Sequence, residues 1–148
     1  MRPAGHIIAS FSLGAGLWFF TGAFYAGMIC FVAGVFIDID HVIEYIIHHG
    51  LKGVSFKKIC LACEQTTRQE GEYKFERLYL FFHTGEIIIL LWIALVYIKN
   101  IYLLAFALGA TAHIILDAIV NVLKPQSYFI TFRIREGFNT ARLIRKVY

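Results

Sequence analysis

Eight side chains able to hold a metal ion or move a proton lie in or beside apolar runs: His6, Asp38, Asp40, His41, His83, Glu86, His113 and Asp117. They include every aspartate of the chain. An ionisable group at mid-membrane costs roughly 2.5–3.5 kcal/mol, so such residues are functional candidates by default. Asp38 and His41 are three residues apart, as are His83 and Glu86; His113 and Asp117 are four apart. On a helix each pair shares a face. Imidazole and carboxylate pairs on facing helices are the donor sets of metal sites in bundle cores. Four histidines and four carboxylates suit Zn²⁺ first, then Mn²⁺ or Fe²⁺, and the lack of thiolate donors argues against a closed structural zinc. Eight donors exceed one four-coordinate ion. Two ions, with His6 on the second, or one ion with an outer layer of carboxylates, are both open. A divalent ion lowers the pKa of its water and polarises a phosphoryl oxygen, which is hydrolytic chemistry. Glu86 and Asp38 are the carboxylates expected to serve in proton transfer.

The elements that must position these groups are apolar helices. Of 148 residues, 59% are hydrophobic and 16% charged, and the mean hydropathy is +0.67. That composition excludes a disordered chain, a disulfide scaffold and a freely solvated nucleic-acid-binding domain. It points to one all-α membrane domain spanning 1–148, a four-helix bundle. No Asp, Glu, Lys or Arg occurs from residue 3 to residue 37, and the length fits two short spans. Helices are expected at about 6–20 and 23–40, parted near Thr21-Gly22, and at about 78–98 and 101–123, parted by Lys99-Asn100, with Pro125 ending the last. The connector 41–77 carries lysines, arginines and five glutamates and reads as water-facing, Glu44 included. The tail 124–148 interleaves basic and apolar residues and reads as an amphipathic segment on the membrane surface.

Charge sets the orientation. With the N-terminus, the connector and the tail on one side, that side holds 13 of the 14 Lys and Arg residues, Lys99 being the exception. The positive-inside rule then places both termini and the connector in the cytoplasm. In that arrangement each helix brings its polar residues toward the cytoplasmic side.

His6, the run Asp38-Ile39-Asp40-His41, the run His83-Thr84-Gly85-Glu86 and the His113…Asp117 pair together resemble the bacterial and archaeal family of small membrane-bound metal-dependent hydrolases, of the LexA-regulated inner-membrane type. Asp-x-Asp-His is the most specific part, and the likeness extends to about residue 123. Two positions depart from that family's pattern. Leu78 stands where a first histidine would precede His83, with Glu86 as the expected substitute, and Phe36-Ile37 replaces Leu-Pro. The family is distantly similar to zinc-dependent phospholipase C and P1-type nucleases. The resemblance implies a metal-dependent, phosphoesterase-like hydrolase of a prokaryotic inner membrane, and the position of the ligands toward the cytoplasmic side suggests a lipid or lipid-linked phosphate of that leaflet as substrate. Arg133 and Arg135 could hold its phosphate, although attraction of the tail to anionic lipid is the commoner reason for such arginines. The partners expected are the lipid bilayer and this substrate, with no nucleic acid; an oligomer is open. Two other functions use the same ligands: a metal-stabilised scaffold without catalysis, and a divalent-metal or proton transporter. Ligands gathered at one end of the helices count against transport, whose sites lie near the midplane.

Cys60-x-x-Cys63 lacks a second pair and reads as two reduced cysteines. Cys30 reads as a small apolar packing residue. Gly14, Gly16, Gly22, Gly27, Gly34 and Gly109 read as helix-packing positions, and Trp18 and Trp92 as interface anchors.

Overall fold

The computed structural model describes residues 3–52 and 54–145; the notional ends of the tail, residues 146–148, lie outside them. The described chain is helical, with only isolated bridges between extended residues. In order it forms α1 (Pro3–Thr21), α2 (Phe24–Phe36), α3 (Ile39–His49), α4 (Phe56–Arg68), α5 (Gly85–Ile98), α6 (Ile101–Val120), a 3₁₀ turn (Pro125–Tyr128), α7 (Ile130–Arg135) and α8 (Thr140–Leu143). Among the described residues three stretches are long and apolar enough to cross a membrane: Ala4–Thr21, Phe24–His49 and Ile101–Val120. Gly85–Ile98 is apolar but shorter; at 1.5 Å per residue its 14 residues reach about 21 Å, against about 30 Å of hydrocarbon.

The chain divides into two compact units, residues 1–37 with 85–121 and residues 38–84 with 122–148. The first holds α1, α2, α5 and α6. Small residues let its helices approach closely. A Cβ on Gly14 would lie 2.5 Å from the Gly27 carbonyl oxygen of α2, and one on Gly109 of α6 would strike the Cys30 carbonyl. Ala26, Cys30 and Ala105 are fully buried around these crossings. Gly16 faces open space, so it is no packing position. The α1–α2 turn runs through Gly22 at φ +69°, where a glycine carries no steric penalty. Asn100 begins α6 by accepting the Tyr102 and Leu103 amides at its Oδ1, a side-chain N-cap. Trp92 does more than anchor an interface: its indole N–H donates to Thr111 Oγ1 at 3.0 Å, tying α5 to α6. Large apolar side chains such as Phe19, Phe20 and Tyr97 point outward, as lipid-facing ones do.

Four expectations are corrected in and around the second unit. The helix expected at 23–40 breaks at Ile37-Asp38, and Asp40 and His41 belong to α3. The helix expected from residue 78 starts at Gly85, because residues 78–84 are irregular and their backbone polar groups bond to side chains instead of to a helical turn. The connector is no loose hydrophilic link: Tyr45, Ile59, Ala62, Phe75, Leu78, Leu80 and Leu143 form one hydrophobic cluster. Thr66 Oγ1 and Gln65 Oε1 of α4 accept the Phe75 and Tyr73 amides, which fixes the returning strand-like segment. The tail is likewise packed into this unit. Positive φ at Gly137 and Phe138 stops α7 after six residues, Leu78 donates its amide to the Phe138 carbonyl, and Tyr128, Arg133, Thr140 and Leu143 are buried. A single surface helix would have left them exposed.

Candidate metal centre

Each unit carries its own His/Asp cluster. In the first, α1 supplies His6, and one face of α6 supplies His113 and Asp117; all three are at most 2% exposed. His6 Nε2 lies 2.9 Å from Asp117 Oδ1, and His113 Nε2 lies 3.6 Å from Asp117 Oδ2. The two imidazoles stack with centroids 4.0 Å apart. His113 Nδ1 is 2.6 Å from the Gly34 carbonyl oxygen of α2. A carbonyl only accepts, so Nδ1 carries a hydrogen. The bond is possible because Gly34 and Gly109 bring α2 and α6 nearly into backbone contact. His6 Nδ1 has no hydrogen-bond partner among the described residues.

In the second unit, Asp38, His41 and His83 offer ligand atoms all within 4.8 Å of one another. His41 Nε2 is 3.7 Å and His83 Nε2 4.0 Å from Asp38 Oδ1. The burial is graded: the His83 side chain is 1% exposed, those of Asp38 and His41 30% and 27%. Asp38 and His41 take this geometry because they are three residues apart across the start of α3.

Asp40, expected as a ligand, stands behind His83. Its Oδ2 accepts the Phe82 and His83 amides at 2.5 and 3.0 Å and faces His83 Nδ1 at 3.0 Å. A carboxylate on Nδ1 fixes the tautomer and turns Nε2 toward Asp38, the arrangement that supports metal-ligating histidines. Its other oxygen, Oδ1, is buried with no hydrogen-bond partner among the described residues. Glu86, also expected as a ligand, is half-buried in the first turn of α5 and belongs to no three-residue ligand group among the described residues.

Arg133 was expected at the surface to hold a substrate phosphate. It is fully buried, and its guanidinium donates to the Tyr79, Leu80 and His83 carbonyls. It is therefore not free to meet a substrate. Arg135 keeps its side chain 78% exposed, near Glu136 Oε1 and over the Phe132 ring. Glu44 is a residue the sequence reading misplaced. It is 1% exposed, not solvated, and accepts the Tyr79 and Leu80 amides. Its i, i+4 spacing from Asp40 was the available signal, since both then face one side of α3.

Cys60 and Cys63 are free. Burial pushes the Cys63 thiol up to about 12, with Cys60 adding to the rise. A thiol held protonated is a poor redox nucleophile.

The chain matches no family model, no curated protein and no solved structure.

Proposed function

We propose that this chain is a membrane-embedded, metal-dependent hydrolase of phosphoester bonds, with a divalent ion held by Asp38, His41 and His83. One observation carries the reading: a buried histidine with its Nδ1 taken by a carboxylate and its Nε2 turned toward two partly exposed donors. The donor set tests well against an ion. Two imidazole nitrogens and a carboxylate suit Zn²⁺, and Mn²⁺ or Fe²⁺ less selectively. Three protein ligands with one side open is the catalytic pattern, whereas structural sites are closed.

A bound ion would supply a water of lowered pKa and a polarised phosphoryl oxygen. The protein's own part is to hold and aim. Asp40 keeps the proton on His83 Nδ1 and the lone pair on Nε2. Asp38 and His41, a quarter to a third exposed, leave an approach for a headgroup phosphate. Asp38 is the carboxylate placed to take a proton from the attacking water. Of the two arginines first assigned to the phosphate, only Arg135 is exposed for that task. The resemblance to the small membrane-bound hydrolases agrees with this chemistry, and a lipid or lipid-linked phosphate is the substrate class it favours. The positive charge balance favours an inner-membrane chain with both termini cytoplasmic and Gly85–Ile98 as its fourth, short span.

A second reading applies to the other cluster. His6, His113 and Asp117 are wholly buried, so an ion there would be closed off and structural, as in a scaffold.

Elemental mass spectrometry of the detergent-purified protein tests both. The proposal expects one or two equivalents of Zn, Mn or Fe. Asp38→Ala/His83→Ala should remove the open-site ion together with hydrolysis of bis-nitrophenyl phosphate. No metal after reconstitution with each ion would overturn the proposal.

A further inference from the structure

Leu80 stands in the left-handed region at φ +43°, although it is a leucine and 3% exposed. Non-glycine residues hold such a conformation only where their surroundings over-determine it. Here they do so from two sides. Glu44 Oε2 accepts the Leu80 amide at 3.2 Å, and both Glu44 oxygens accept the Tyr79 amide at 3.0 and 3.2 Å. Arg133 Nη1 donates to the Leu80 carbonyl at 2.7 Å and to the Tyr79 carbonyl, while Nη2 donates to the His83 carbonyl at 3.1 Å. One acid from α3 thus takes the amides and one arginine from α7 takes the carbonyls. The Leu80 side chain is meanwhile drawn into the cluster with Tyr45, Phe75 and Leu143.

A helix or a plain extended strand would satisfy these amides and carbonyls without two buried charges. The departure at Leu80 lies three residues before His83 and changes the direction in which the chain reaches it. We propose that Glu44, Leu80 and Arg133 form a positioning set for His83, aiming its Nε2 at Asp38 and His41 by holding Leu80 left-handed. The inference rests on the metal reading above. Residues that orient a metal-ligating histidine typically change metal affinity 10- to 100-fold when altered.

The test uses the full-length, detergent-purified chain, Co²⁺ as probe and its visible absorption as readout of both affinity and coordination geometry. Arg133→Lys keeps the charge but loses the planar fork that serves three carbonyls. It is expected to weaken Co²⁺ binding at least tenfold and to alter the absorption band. Glycine adopts positive φ without steric penalty, so Leu80→Gly in the Arg133→Lys background is expected to restore most of that loss. Leu80→Gly alone lowers the melting temperature by emptying a place in the cluster, which gives the packing loss against which the double variant is read. Glu44→Gln, which removes the charge but retains an acceptor, checks the amide side with a milder change and should weaken binding less than Arg133→Lys. If the wild type binds no Co²⁺, the metal reading fails and takes this proposal with it. If the wild type binds and Arg133→Lys binds equally well, the proposal alone fails. It also fails if Arg133→Lys weakens binding and Leu80→Gly restores nothing, since Arg133 would then act by a route other than Leu80.

Discussion

Replacing Arg133 with Met should be among the most damaging single changes outside the helix crossings, and replacing Arg135 with Met among the mildest. Methionine matches the aliphatic stem of arginine but donates no hydrogen bond. Arg133→Met would leave the carbonyls of Tyr79, Leu80 and His83 without their donor in a buried place. An orphaned buried polar group costs about 1–3 kcal/mol. Two of the three carbonyls accept from the same Nη1, and water entering the emptied space would serve some of them, so the three losses do not simply add. A loss of about 3–5 kcal/mol is expected, between the cost of one orphaned group and the sum of three. For a chain of this size, 1 kcal/mol moves the melting temperature by about 2–4 °C, so a fall of at least about 6 °C should be visible in circular dichroism melts in detergent. Arg135, with its side chain 78% exposed, has a surface ion pair, worth roughly 0–1 kcal/mol, and an exposed contact with the Phe132 ring, worth about 0.5–1 kcal/mol, to lose. Equal melting temperatures for the two variants would refute the assignment of Arg133 to the Tyr79–His83 carbonyls. It would also restore Arg133 as a surface residue.

Two further outcomes follow from packing and from titration. Gly109→Ala would drive a Cβ into the Cys30 backbone of α2 and is expected to destabilise by about 1–3 kcal/mol through overpacking, while Gly16→Ala, which meets nothing within 4 Å, should be neutral or stabilising by up to about 1 kcal/mol from helix propensity; thermal melts of the pair decide it. Cys63, with its thiol raised to about 12, holds only on the order of one thiolate in ten thousand at pH 8, against roughly a quarter for an ordinary thiol near 8.5. Its alkylation by iodoacetamide, followed by peptide mass spectrometry, should therefore rise about tenfold per pH unit from pH 8 toward 11, and rapid labelling at pH 8 would contradict the burial of this thiol.

The apolar helices were legible because periodicity and composition are local properties. A charge-free run, a Thr-Gly turn, a Lys-Asn cap and a terminal proline mark α1, α2 and α6 from within a few residues of each boundary. The pairing of His113 with Asp117 was legible for the same reason, since i, i+4 spacing acts within one helix. The break at Ile37-Asp38 was hidden because both sides of it are helical and apolar, and no proline or glycine stands there. The stretch 78–84 misled for a deeper reason. Leu-Tyr-Leu-Phe-Phe has the composition of a span, yet its backbone finds better partners in side chains 35 to 54 residues away in sequence, Glu44 on one side and Arg133 on the other.

Those two charges also explain why the tail and the connector pack together instead of lying exposed. In a composition-based reading, an arginine among phenylalanines and isoleucines belongs to a membrane-surface helix, and a glutamate in a charged connector belongs to water. Burial of either alone would be prohibitive. Burial becomes tolerable when each spends its charge on backbone groups that an irregular segment cannot otherwise satisfy, the acid on amides and the arginine on carbonyls. The irregular segment in turn carries His83, so the same requirement that buries Glu44 and Arg133 brings the histidine to Asp38 and His41. Chemistry and folding are joined at this loop: the residues that look misplaced by composition are the ones that hold the candidate ligand in place.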